Sequence, residues 1–123
     1  MTTYQQPSDL RAVPMVRALA TDEFDAFVRF HETVFRDGGT IPLKLRELVA
    51  LAVALTTKCS YCIDTHTRGA ADAGATREEI AEIGFVAAAV CAGGAMAHGL
   101  LALRLDAEHR HAGRRRAEED DRA

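Results

Sequence analysis

Residues 47–66 read ELVALAVALTTKCSYCIDTH: an apolar run entered by Glu47, then Cys59 and Cys62 three apart, then His66 four further on. Nowhere else in the chain do so many reactive side chains gather. On a helix that starts near Cys59, positions 59, 62 and 66 are i, i+3 and i+7 and share one face. With Thr57 and Lys58 as the turn of a helical hairpin, Glu47 stands about eleven residues before the turn and His66 about eight after it. At about 1.5 Å rise per residue, their heights then differ by only roughly 4.5 Å. The stretch therefore predicts a helix hairpin and, on it, a cluster of Glu47, Cys59, Cys62 and His66.

Outward from the hairpin the signals are helical. Ile41-Pro42 opens the first arm, with proline in the first turn, where its missing N–H costs nothing. Leu43 to Leu55 is apolar on nearly every face after Arg46 and Glu47, which predicts a buried helix. Glu47 then stands at the edge of a core, where a carboxylate is expensive unless hydrogen-bonded or protonated. The plainer reading is that it pairs with Arg46, Lys44 or Arg68. The thiol helix runs from Cys59 to Ala73 and is closed by Gly74. Thr76-Arg77-Glu78-Glu79 is a capping box for the next helix, whose inner face is Ile80, Ile83, Val86, Ala87, Val90 and Cys91. Gly93-Gly94 predicts a break, and a last helix follows from about Ala95 into Arg104 or beyond.

Upstream, Thr21-Asp22-Glu23 begins a helix with an apolar stripe of Phe24, Phe27, Val28, Phe30, Val34 and Phe35, ended by Asp37-Gly38-Gly39. Met1 to Ala12 is polar and frayed at its start, with Pro7-Ser8-Asp9 as a helix entry. The tail HRHAGRRRAEEDDRA is basic, then acidic, and reads as solvated or disordered. No strand alternation, repeat or glycine-rich phosphate loop occurs. The expectation is an all-α fold, a compact helical bundle around the hairpin, organised as an N-terminal segment 1–20, a domain 21–108 and a tail 109–123.

Composition bounds the rest. At 123 residues, 48% hydrophobic and 27% charged, the chain is one globular domain. Its net charge of −3 leaves no electrostatic footprint for nucleic acid. Three cysteines, an odd number, argue against a disulfide scaffold and for a cytoplasmic protein with a specific thiol site. The N-terminus carries no secretory pattern. Ile83 to Leu103 lacks Asp, Glu, Lys and Arg, long enough to span a bilayer at about 20 residues. Gly93, Gly94 and His98 interrupt that run, so two buried helices joined at the glycines are expected, with no membrane.

A C-x-x-C pair opening a helix is a redox arrangement, because the helix terminus favours thiolate and a nearby imidazole can accept or return the proton. Zinc is the competing reading. A structural zinc wants four ligands, Cys59, Cys62 and His66 supply three, and Cys91 or Glu47 would have to complete the set.

The pattern Glu47, eleven residues, Cys59-x-x-Cys62, three residues, His66 resembles the active-site signature of the AhpD-like alkylhydroperoxidases of the carboxymuconolactone decarboxylase family. The likeness extends from Pro42 to about Leu103. It implies an all-α fold around a helical hairpin, an obligate homo-oligomer (hexamer preferred, trimer as alternative), and reduction of a hydroperoxide substrate by the cysteine pair without metal or heme. It implies further that Glu47 and His66 relay protons to the thiols, with Cys62 peroxidatic and Cys59 resolving. An external dithiol, or a thioredoxin-like or adaptor protein, would restore the pair. One departure is Tyr61, which stands where relatives carry a histidine that joins the relay. Helix-terminus electrostatics, taken alone, favours Cys59 as the attacking thiol.

Two other functions fit parts of the pattern. A lactone decarboxylase would work by acid–base chemistry and need no thiol pair; a non-enzymatic oligomer would use the dithiol to sense redox state or bind metal. The remaining candidates read blandly. Cys91 is a small core residue, His98 is structural or approaches the site from a neighbouring helix, and His31 is a surface or boundary residue. His109 and His111 belong to the tail.

Overall fold

The computed structural model describes residues 4–123, so the start of the segment expected to fray, Met1–Thr3, lies outside the described residues. A short 3₁₀ helix, Pro7–Ala12, is followed by α1 (Val13–Leu19), α2 (Thr21–Val34), α3 (Leu43–Thr57), α4 (Ser60–Asp72) and α5 (Arg77–Asp121). No strand occurs among the described residues, as expected of an all-α chain. The chain divides into two units, one ending at Ala87 and one running from Ala88 to Ala123, and the division falls inside α5.

The hairpin forms with its turn one residue later than the expected Thr57-Lys58, because Thr57 still belongs to α3 and Lys58-Cys59 makes the connection. Lys58 ends α3 in the left-handed region at φ 57°, and Cys59, extended, begins α4 as its N-cap. A two-residue connection makes α3 and α4 antiparallel neighbours. Leu48, Leu51 and Ala54 on α3 and Ala70 on α4 are buried. Gly74, at φ 90°, closes α4: its N–H donates to Ala71 O at 3.0 Å and that of Ala75 to Ala70 O at 2.9 Å. These two bonds are a Schellman motif, and glycine takes the left-handed position without the Cβ penalty.

The capping box is present. Glu79 N donates to Thr76 Oγ1 at 3.1 Å, and Thr76 N donates to Glu79 Oε2 at 3.0 Å. Lys44 Nζ reaches Glu79 Oε1 at 2.9 Å and ties the first turn of α5 to α3. Lys44 first, and the Thr76 amide second, hold the Glu79 carboxyl below its usual value. Arg46 Nη1 donates to Val34 O (2.7 Å) and Arg36 O (3.3 Å), which seats α3 against the end of α2.

Three expectations are corrected. Helix α5 runs through Gly93-Gly94 without a break. A glycine costs a helix only about 1 kcal/mol relative to alanine, and the flanking residues are mostly strong helix formers. The break was the main ground for excluding a membrane span, and α5 is by length and composition alone apolar enough to cross one. Second, neither this segment nor α3 is buried all round: Val49, Val53, Phe85, Val90, Met96 and Leu100 are exposed in the single chain. Third, residues 109–121 are helical rather than disordered, though nearly all are exposed, as a solvated tail would be. The ion pairs Arg104–Glu108 and Arg110–Asp106, each spaced i,i+4, sit on the same exposed helix.

Candidate functional site

Cys59 and Cys62 are joined as a disulfide, with Cα atoms 5.2 Å apart. Cys59 is the N-cap of α4, and its sulfur accepts the Cys62 backbone N–H at 3.3 Å. A thiolate at that position would face the positive end of the helix dipole. Cys62 lies one turn in and lines a cavity of about 380 Å³ together with His66.

Glu47 and His66 meet as the hairpin arithmetic predicts. Glu47 Oε2 lies 2.8 Å from His66 Nδ1, and the two side chains are 13% and 12% exposed. With the carboxylate ionised, Nδ1 is the donor, so Nε2 is the nitrogen left for the cavity. None of Arg46, Lys44 and Arg68 is the partner of Glu47: their bonds go to backbone carbonyls, Glu79 and Asp64 respectively. Space for the carboxylate comes from Gly69. A Cβ there would stand 2.5 Å from Glu47 Cδ and Oε2. Sequence reasoning passed over Gly69, although a glycine inside a helix is a signal that could have pointed to this close approach.

Helix α2 closes over the imidazole. The Phe35 ring stacks on His66 with centroids 4.8 Å apart, and His31 lies 4.6 Å from Phe35 and 6.1 Å from His66. His31 is half-buried, a boundary residue as expected, yet it belongs to the ring cluster that packs the site. Nothing in the periodicity of α2 distinguishes His31 from the phenylalanines beside it.

Tyr61 does not point the way a relay residue would. Its hydroxyl donates to Asp9 Oδ2 at 2.6 Å, and the Gln6 amide donates to the same oxygen at 2.8 Å. These bonds hold the Asp9 carboxyl below its usual value, Tyr61 contributing more than Gln6. The same contact to Asp9 raises the Tyr61 phenol above its usual value. The second imidazole near the site thus comes from α2, and Tyr61 latches the N-terminal 3₁₀ helix to the start of α4.

Cys91, expected in the core, is exposed and is the free cysteine among the described residues. His98 is exposed as well. Among the described residues, no group of three or more His, Cys, Asp or Glu side chains is arranged to hold a metal ion. As a disulfide, the cysteine pair offers no thiolate ligand.

Comparison with known proteins bears on the family and the fold. The profile of the carboxymuconolactone decarboxylase family matches residues 21–105. A Paracoccus denitrificans protein described as uncharacterized protein 4 in the cox locus is 44% identical over 79 residues, 64% of this chain and 70% of that one. An uncharacterized protein of Haemophilus influenzae is 50% identical over 34 residues, 28% of this chain and 30% of that one. The crystal structure of an apo carboxymuconolactone decarboxylase family protein from Legionella pneumophila aligns with a TM-score of 0.63 at 25% identity, covering 68% of this chain and 73% of that one.

Proposed function

This chain belongs to the carboxymuconolactone decarboxylase family, and from that membership and its site we propose that it is a thiol-dependent hydroperoxide reductase. The observation that carries the reading is a cysteine pair close enough to be joined as a disulfide, next to a partly buried Glu47–His66 pair. Lactone decarboxylation would engage Glu47 and His66 and leave the dithiol idle.

In this reaction the Cys62 thiolate attacks the terminal peroxide oxygen. The O–O bond breaks, sulfur is oxidised to the sulfenic acid, and the leaving alkoxide takes a proton from His66 Nε2 to depart as the alcohol. Glu47 stabilises the imidazolium before transfer. The Cys59 thiolate then attacks the Cys62 sulfur, hydroxide leaves and is protonated to water, and the disulfide closes. An external dithiol, free or on a thioredoxin-like or adaptor protein, donates two electrons and restores both thiols.

The positions of the two cysteines support this assignment. Cys62 lines the cavity with His66, so it meets the substrate. Cys59 sits at the helix terminus, which favours its thiolate for the resolving attack and as the leaving group when the disulfide is reduced. The cytoplasm, where thiol pools are kept reduced, suits this cycle.

The test is consumption of cumene hydroperoxide with dithiothreitol as reductant, comparing wild type with Cys62→Ser. Wild type should turn over and the variant should lose about 10²-fold or more. Equal rates in both, or thiol oxidation without turnover, would assign the dithiol to sensing and overturn the reading.

A further inference from the structure

The cavity in front of Cys62 is more apolar than peroxide chemistry requires, and one cation breaks that character. Val34, Phe35 and Ile41 face it from the α2 side, and Val49 and Val53 from α3. A volume near 380 Å³ is within the range of small-molecule sites, which are mostly apolar with a few polar groups that set orientation. Arg46 also lines it. Its Nη1 is held by the carbonyls of Val34 and Arg36, which fix the guanidinium without neutralising it. No carboxylate among the described residues pairs with Arg46.

Arg46, Val49 and Val53 fall at three- and four-residue spacings along α3, so they form one stripe that leads toward the turn. Cys62 lies just past that turn on α4. At about 1.5 Å per residue, Arg46 Cα stands roughly 13 Å farther from the turn than Cys62 Cα. A cation and a nucleophile thus bracket an apolar track.

Building on the proposed peroxide reduction, we infer that the cavity takes an amphipathic substrate: an alkyl hydroperoxide bearing a carboxylate remote from the –OOH. The carboxylate pairs with Arg46, the alkyl chain lies along Val49 and Val53, and the hydroperoxide reaches Cys62. A peracid, whose carboxyl and peroxide are one group, cannot use both ends of the track.

Binding of unreactive probes tests this without turnover. Sodium decanoate and 1-decanol are titrated into the oxidised protein by calorimetry, below their aggregation limits. Wild type should bind decanoate at least about tenfold more tightly than decanol, and added salt should weaken only decanoate. Arg46→Gln should remove that preference, so that decanoate binds no more tightly than decanol. Because Arg46 also braces the end of α2, Arg46→Lys is the second variant and should retain part of the preference. Equal affinities in wild type, or a preference that survives in Arg46→Gln, would overturn the inference. So would a groove that binds neither probe while Cys62, in the reduced protein, alkylates more slowly at higher protein concentration, since a second copy of the chain then fills it. A protein that prefers decanoate but reduces no hydroperoxide fails the functional reading alone; one that reduces cumene hydroperoxide without the preference fails only this inference.

Discussion

The Glu47 carboxylate occupies the space that a side chain on Gly69 would need. Glu47 is held at its far end by His66, so it cannot swing aside without losing that bond. Gly69→Ala should therefore separate stability from activity. Alanine gains up to about 1 kcal/mol of helix propensity inside α4, offsetting the displacement of one side chain. The expected outcome is a melting temperature at or near that of wild type with hydroperoxide reduction lowered toward the Glu47→Gln level. Thermal melts and rates measured on the same samples decide it; unchanged activity would mean that Glu47 finds an equivalent position.

Glu47→Gln and His66→Phe should each slow reduction by about 10²-fold, the usual size of an acid–base contribution. In the proposed mechanism the two side chains form one proton path, so the double variant should be little slower than either single one. Additive losses would show two independent roles. Glu47→Gln should fold normally, because the glutamine carbonyl oxygen can still accept the bond from His66 Nδ1–H and leaves no buried donor unpaired.

The Tyr61–Asp9 latch has a pH window whose limits follow from the two shifts. Asp9 is held below its ordinary value of 3.8, so its contribution is complete above that value and is lost as pH falls through the lower folded-state value. Tyr61 is raised above its ordinary value of 10.0, so its contribution is complete below that value and is lost as pH rises through the higher folded-state value. In a Tyr4→Phe background, phenolate absorbance should report a Tyr61 midpoint above 10.0. Asp9→Asn should move that midpoint downward. A midpoint indifferent to Asp9 would mean that the contact is not maintained in solution.

The hairpin and its four reactive residues were legible because their signals are local: helix spacing, a short turn and a terminal glycine. Two features were legible only in part. Gly93-Gly94 is a breaker signal, but two glycines cannot by themselves interrupt a helix that its alanine-rich flanks sustain. His31 reaches the site through tertiary packing of α2 on the hairpin, and no periodicity encodes that contact. Tyr61 was legible as a departure from the relay histidine, but not its bond to Asp9, by which the phenol serves the N-terminal segment.

The exposed apolar surface of α3 and α5 leads to the last prediction. Phe85, Val90, Met96, Leu100 and Leu103 are each at least 64% exposed in the single chain, and Leu45 on α3, outside the cavity, about half. Soluble monomers rarely leave contiguous apolar patches of more than a few hundred Å² uncovered. Self-association hides such surface by symmetry, whereas a bilayer would hide the α5 part only. The protein should therefore sediment without detergent as a homo-oligomer, hexamer or trimer, at micromolar concentration. Cys91 lies on the same helix, so covering that helix should slow its alkylation relative to the urea-unfolded chain. A stable folded monomer with a freely reactive Cys91 would sink the prediction, and recovery only in detergent extracts would assign α5 to the membrane instead.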